Sequence, residues 1–125
     1  MTLKANELRI GNYLNGKQGH VIITEIRENN IVKIHDNTNS FYVGTCLKPI
    51  PLTDEWLFNF DAIKIGDEFI FDRFRLKYLP DYEFYYVTCR ETNAYITKVE
   101  FVHEWQNVVF ALNNQELSLK NNSNN

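Results

Sequence analysis

Residues 101–112 read FVHEWQNVVFAL, and the spacing of their apolar side chains decides which fold we predict. These apolar residues recur at the interval that places them on one face of an α-helix: Phe101, Trp105, Val108, Val109 and Leu112. The polar residues lie off that face: His103, Glu104, Gln106 and Asn107. Asn113 and Asn114 follow, and asparagine tolerates the left-handed conformation that ends many helices. We therefore predict a C-terminal helix that covers one side of a β-sheet.

The sheet that this helix would cover is predicted from the residues immediately before it. Four segments alternate or are rich in aromatic and β-branched residues, and turn residues separate them: residues 68–71, 74–79, 83–90 and 94–99. Thr53 precedes Asp54 and Glu55, a pattern typical of a helix N-terminus, so we predict a short helix from Asp54 to about Asn59. Trp56 and Phe60 would point inward from it.

Residues 1–52 contain four or five short strand-like segments, and the clearest are residues 21–27 and 31–34. We predict a small bent β-sheet or SH3-like lobe over residues 1–52. Residues 53–119 would form the short linking helix, the antiparallel β-meander and the C-terminal helix, and residues 120–125 a disordered tail. The predicted fold class is α+β, with one shared core.

The predicted meander has an unusual consequence, because large apolar side chains fall on both of its faces. With an even-length turn at Pro80-Asp81, Lys77 opposes Phe84 on one face and Leu76 opposes Tyr85 on the other. An odd-length turn would exchange the faces without removing either apolar set. One helix covers only one face, so the other needs the N-terminal lobe, a second copy of the chain or another partner.

Composition excludes several classes of protein. The 125 residues carry a formal net charge of −3, and neither half of the chain is basic, which disfavours a dedicated duplex-binding protein. Cys46 and Cys89 have no metal-ligand spacing, and no apolar signal segment or membrane-spanning run is present. We expect a cytoplasmic protein of a bacterial host cell, with two reduced thiols and no membrane association.

No pattern of residues predicts an active site, a metal site or a cofactor. The three histidines are far apart in the sequence, and the adjacent carboxylates at Asp54-Glu55 and Asp67-Glu68 are explained by a helix start and a turn. A glycine-rich phosphate loop is absent. We therefore predict that the protein is not an enzyme.

Two kinds of binding site remain as hypotheses. A protein partner, or a second copy, would contact aromatic and basic side chains of the meander and the back of the C-terminal helix: Arg75, Lys77, Phe84, Tyr86, Tyr95, His103 and Phe110. Single-stranded nucleic acid would use cations beside stacking rings: Arg73, Arg75, Lys77 and Tyr86, with Tyr95. The acidic total disfavours nucleic acid, and packing under the N-terminal lobe is the simpler role for Phe110.

Three stretches together resemble a known family: LKANELRIGNYL at residues 3–14, PIPLTDEWLFNF at 49–60 and VEFVHEWQNVVFALNNQEL at 99–117. The chain resembles an uncharacterised family of short proteins carried by phages, prophages and conjugative elements of Bacteroidota. Trp105 stands where that family usually has leucine. The resemblance implies a mobile-element origin and a bacterial cytoplasmic setting, and it implies no catalytic residue.

These observations lead to one main functional hypothesis and two alternatives. The main hypothesis is a non-enzymatic accessory protein of a phage or mobile element that acts by protein–protein interaction, with a host protein, a phage protein or itself. The first alternative is a module that binds single-stranded nucleic acid. The second is a small-ligand binder with a pocket between the lobes near Trp56.

Overall fold

The chain forms two antiparallel β-sheets and two α-helices, which confirms the predicted α+β class. The computed structural model describes residues 3–17, 19–35, 40–44 and 46–119, and the predicted tail at residues 120–125 lies outside them. The first sheet has the order β1 (Tyr13–Gly16), β2 (Gly19–Arg27), β3 (Ile31–Ile34) and β4 (Ser40–Tyr42). The second has the order β5 (Ile63–Ile65), β6 (Glu68–Phe71), β7 (Phe74–Leu79), β8 (Phe84–Cys89) and β9 (Tyr95–Val99). The helices are α1 (Asp54–Asn59) and α2 (Val102–Asn113).

The chain divides into two compact units, and the division differs from the predicted one. The first unit consists of Met1–Pro51 and Phe101–Glu116, and the second consists of Leu52–Glu100 and Leu117–Asn125. Helix α2 therefore belongs with the first sheet, although we predicted that it would pack on the meander. The helical periodicity shows that α2 has a buried face, but it does not say which sheet that face covers.

The first unit is built from β1–β4 and α2. The tight turn between β2 and β3 uses Asn29 and Asn30 at φ 60° and 61°, as asparagine permits. A register irregularity between Ile23 and Glu25 interrupts the β2–β3 pairing and bends the sheet. Helix α2 packs near β1 and ends at Asn114, which adopts the predicted left-handed conformation at φ 53°.

The buried face of α2 matches the predicted one only in part, since Trp105 and Val109 are buried as predicted. The buried residues of this helix are Val102, His103, Trp105, Gln106 and Val109, whereas Leu112 is exposed. The prediction excluded His103 and Gln106 because they are polar. Both are buried, and the Gln106 amide is satisfied because it donates to the Gly11 carbonyl and accepts from the Tyr13 backbone N–H.

The second unit is built from α1 and β5–β9. Thr53 caps α1 as predicted, accepting a hydrogen bond from the Trp56 backbone N–H, and Trp56 and Phe60 are buried. Helix α1 contacts the inner face of the sheet, since Phe58 packs edge-on against Phe69 and the Tyr85 hydroxyl donates to Asp54. The inner-face residues are largely apolar and buried: Phe69, Phe71, Phe74, Leu76, Tyr85, Val87 and Val99. We predicted four strands here and missed β5.

The β7–β8 register differs by two residues from the predicted register. Leu79 pairs with Phe84, Lys77 with Tyr86 and Leu76 with Val87. The connecting turn has four residues, Pro80–Glu83, because the Tyr82 and Glu83 backbone N–H groups both donate to the Leu79 carbonyl. A shift of two keeps each side chain on its predicted face, so the assignment of residues to faces is correct although the pairing is not.

Candidate functional site

The candidate site is the outer face of the second sheet, which is the face that points away from α1. Strand pairing places its side chains in three rows that run across the strands. The first row is Ile65, Glu68, Lys77, Tyr86 and Lys98, the second is Ile63, Ile70, Arg75, Thr88 and Tyr95, and the third is Leu79 and Phe84. We call these twelve residues the outer face.

Large apolar side chains of the outer face are exposed at both lateral ends of the sheet. Ile63 and Ile65 are 65% and 63% exposed on edge strand β5, and Tyr95 is 55% exposed on the opposite edge strand, β9. Tyr86 on β8 is 39% exposed. Scattered exposed apolar residues need no explanation, but exposed apolar groups at both edges of one sheet face are typical of a contact surface.

The aromatic end of the outer face is ordered by contacts between its rings. The Tyr86 and Tyr95 rings lie 4.9 Å apart at an interplanar angle of 31°. The Lys98 ammonium lies 5.0 Å from the centroid of the Phe84 ring, within the range of a cation–π contact. These contacts hold the rings in place, so a partner that binds them loses little side-chain freedom.

The central charges of the outer face are paired with one another. Arg75 Nε lies 3.4 Å from Glu68 Oε1, and Lys77 Nζ lies 3.6 Å from Asp67 Oδ2. Arg75 also donates a hydrogen bond to the side chain of Asn93. A shallow depression of about 200 Å³ lies among these groups and is lined by Glu68, Arg75, Lys77, Tyr86, Thr88 and Asn93. The centre of the face is therefore polar and nearly neutral.

Five of the seven residues predicted to bind a protein partner lie on the outer face: Arg75, Lys77, Phe84, Tyr86 and Tyr95. Arg73, from the nucleic-acid hypothesis, lies in the exposed two-residue turn between β6 and β7. The other two predicted partner residues, His103 and Phe110, lie on α2 in the first unit. The structure therefore brings most of the predicted residues together on one surface and separates these two from it.

His103 is a correction to the predicted site. Its side chain is 2% exposed and stacks against Phe101 at 6.0 Å between ring centroids. The charged form is hard to accommodate there, so burial lowers the pKa of His103 against the opposing effect of Glu104 and Glu7. A group this buried does not contact a partner. Phe110 is 38% exposed, with the Arg9 guanidinium 3.7 Å from its ring centroid, so it packs against the N-terminal segment.

Sequence reasoning missed several residues of the outer face. Ile63 and Ile65 flank Lys64 in a segment of alternating character that is three residues long, too short for a confident strand prediction. Lys98 was not selected because its row position follows only from the β8–β9 register, which contains an irregularity between Val87 and Thr88. The alternation of residues 63–65 was the one available signal.

Two of the stretches that carry the family resemblance meet in the first unit. Arg9 donates to Asn107 and forms an ion pair with Glu116 at 2.7 Å. Asn12 Nδ2 donates to Asn107 Oδ1 at 2.9 Å. These contacts join residues 3–14 to residues 99–117. Packing within the first unit therefore brings these two stretches together.

Two side chains of the second unit, Cys89 and Tyr85, have perturbed pKa values. Among the described residues, no three His, Cys, Asp or Glu side chains lie close enough to hold a metal ion. Hydrogen bonds with Thr92 lower the pKa of Cys89, a free thiol, whereas burial and Asp54 raise the pKa of Tyr85. Cys89 is hydrogen-bonded with Thr92, and the Tyr85 hydroxyl donates to the Asp54 carboxylate at 2.6 Å.

Neither described helix reaches the length and apolar content that a membrane-spanning helix needs. The chain matches no family model, no curated protein and no solved structure.

Proposed function

We propose that this protein is a non-enzymatic interaction protein and that it binds a protein partner through the outer face of the second sheet. One observation carries the proposal: exposed isoleucines and tyrosines occupy both ends of a sheet whose inner face is already buried. Tyrosine is enriched at protein interfaces because it buries a large area at low cost in side-chain entropy.

The charges of the outer face favour a protein partner over single-stranded nucleic acid. A nucleic-acid groove needs cations that are free to meet phosphates, but Arg75 and Lys77 each have a carboxylate within 4 Å. Phosphates would also lie beside Glu68 and Asp67. A protein surface can match such a mixture of paired charge and apolar area.

The setting that we propose follows from the resemblance to the mobile-element family of Bacteroidota. In that setting the protein acts in the cytoplasm of a bacterial host as an accessory protein of a phage or mobile element. It binds its partner without catalysing a reaction. The outer face is the preformed surface that we propose for this binding.

A photocrosslinking amino acid at position 95 tests the proposal. Tyr95 is 55% exposed on the outer face, and Tyr42, on β4 of the first unit, is 56% exposed. Position 42 is therefore a control of matched exposure. Each variant is irradiated in a Bacteroidota cell extract, with and without nuclease, and adducts are resolved by mass.

We expect position 95 to give discrete protein adducts that survive nuclease and that weaken when Tyr86→Ser is added. Position 42 should give none. Equal labelling from the two positions, or no adduct from position 95, would contradict the proposal. Adducts that disappear with nuclease would instead assign the outer face to nucleic acid.

A further inference from the structure

We infer that the partner of the outer face is a second copy of this chain, related by a two-fold axis that runs parallel to the strands between β7 and β8. The inference rests on the proposed function, because it assumes that the outer face binds protein. The order of side chains across the sheet indicates that a second copy of the chain fits this face.

A two-fold axis in this position places β6 of one copy opposite β9 of the other, and β7 opposite β8. Each row then faces the same row of the second copy. In the first row, Glu68 then faces Lys98 of the second copy. Lys77 faces the Tyr86 ring of the second copy, a cation–π pairing. Each contact occurs twice, as symmetry requires of an isologous interface.

The other two rows are also self-complementary under this operation. In the second row, Ile70 faces Tyr95 and Arg75 faces Thr88 of the second copy. In the third row, Leu79 faces Phe84. Apolar groups therefore meet apolar groups, and no charge meets a like charge. Strand β5 lies outside this overlap, so its isoleucines would border the interface.

Two alternative two-fold arrangements place like charges together. An axis along β7 would stack Lys77 on its own copy and Arg75 on its own copy. An axis across the strands, between the first and second rows, would place Lys77 over Arg75 of the second copy. Like charges in direct opposition are strongly unfavourable in an interface. The favoured axis also aligns the strands of the two sheets, which is a common geometry for stacked sheets.

Charge reversal at Glu68 and Lys98 tests this arrangement in the full chain. In a Glu68→Lys homodimer, the introduced lysine would face Lys98 of the second copy. In a Lys98→Glu homodimer, the introduced glutamate would face Glu68 of the second copy. A mixture of the two variants restores opposite charges across the interface in a heterodimer. The measurements are light scattering after size exclusion and sedimentation velocity over a concentration series.

We expect the natural chain to dimerise with concentration and each variant alone to dissociate about tenfold more readily or worse. The equimolar mixture should recover association toward that of the natural chain. Matched reversals on exposed turns of the first unit, Glu28→Lys and Lys17→Glu, should change nothing. Because Glu68 also pairs with Arg75, its reversal could disturb the fold, and circular dichroism checks this. Recovery of association in the mixture would also show that both variants are folded.

The inference would be overturned if the natural chain stays monomeric. It would also be overturned if neither reversal weakens the dimer, or if mixing the two variants fails to restore association. These failures are separable from failure of the proposed function. If the chain is monomeric while position 95 still crosslinks to a different protein, the outer face binds protein and only the identity of the occupant is wrong. If position 95 gives no adduct either, both proposals fail.

Discussion

The buried amide of Gln106 shows how one side chain can join distant parts of the sequence. Gln106 is fully buried on α2, yet its Nε2 donates to the Gly11 carbonyl at 3.0 Å and its Oε1 accepts from the Tyr13 backbone N–H at 2.9 Å. An unpaired backbone group would be costly above all at Tyr13, which is buried, whereas Gly11 is partly buried. The amide therefore couples α2 to the start of β1.

Replacing Gln106 by alanine should destabilise the protein by about 2 kcal/mol or more, because two backbone groups lose their partners and a cavity is left. Equilibrium unfolding in urea measures the loss. The matched control is Gln115→Ala, since Gln115 is exposed, and that change should stay within about 0.5 kcal/mol. Equal effects at the two positions would show that the hydrogen bonds of Gln106 contribute little.

A second residue-scale effect arises at His103, whose burial lowers its pKa. In the unfolded chain a histidine binds a proton below about pH 6.5. The folded protein resists that proton, so in this range the unfolded state binds more protons and the free energy of unfolding decreases as pH falls. Well above pH ~6.5 His103 is neutral in both states and contributes no pH dependence.

We therefore expect the protein to be less stable near pH 5 than near pH 7.5, and His103→Gln to reduce that difference. Chemical unfolding at a series of pH values provides the measurement. His20→Gln, at an exposed position of β2, serves as the control and should retain the dependence of the natural chain. The explanation fails if His103→Gln leaves the slope unchanged.

At the scale of the element, the β7–β8 hairpin shows how turn length fixes strand pairing. Its four-residue turn ends at Glu83, which adopts φ 58°. A side chain with a Cβ atom is strained in this left-handed conformation, whereas glycine is not. The strain is tolerated because it places Leu79 opposite Phe84 and keeps the apolar residues of both strands on their proper faces.

Glu83→Gly should therefore stabilise the protein by up to about 1 kcal/mol, and Glu83→Ala should not. Thermal unfolding of the two variants measures the difference, and the alanine variant controls for removal of the carboxylate. A glycine variant that is less stable than the alanine variant would show that the turn is not strained at this residue.

At the scale of the whole molecule, the two units differ in how their sequences are arranged. Helix α1 and strands β5–β9 are continuous within residues 52–100. The first unit combines residues from both sides of that stretch, because its sheet comes from residues 1–51 and α2 begins at residue 102. The first sheet therefore depends on contacts between residues that are far apart in the sequence, such as Gly11 and Gln106.

A fragment of residues 1–51 should consequently be largely unfolded, since it lacks the fully buried Trp105 and Val109 and the amide of Gln106. Adding a peptide of residues 101–119 should restore structure. Dispersion of amide signals in a nitrogen–proton NMR spectrum reports both results. Residues 52–100 form the comparison fragment and should retain more structure alone. A folded fragment 1–51 would contradict this account.

Local signals in the sequence were sufficient for much of the fold. The cap at Thr53 and the end of α2 at Asn114 were both predicted, because each depends on the conformational preference of neighbouring residues. The assignment of β7 and β8 side chains to two faces was also correct, since alternation survives a two-residue change of register.

Tertiary structure alone decided where α2 packs, that the polar His103 and Gln106 are buried on it, and which strands edge the second sheet. The amino-acid sequence determined that an amphipathic helix would follow the meander, because periodicity is a local property. It did not determine that the helix would join the first sheet. The packing of α2 on the first sheet depends on the contacts of Gln106 and Asn107 with residues 7–13. Because these residues lie far apart in the sequence, their contacts cannot be predicted from local periodicity.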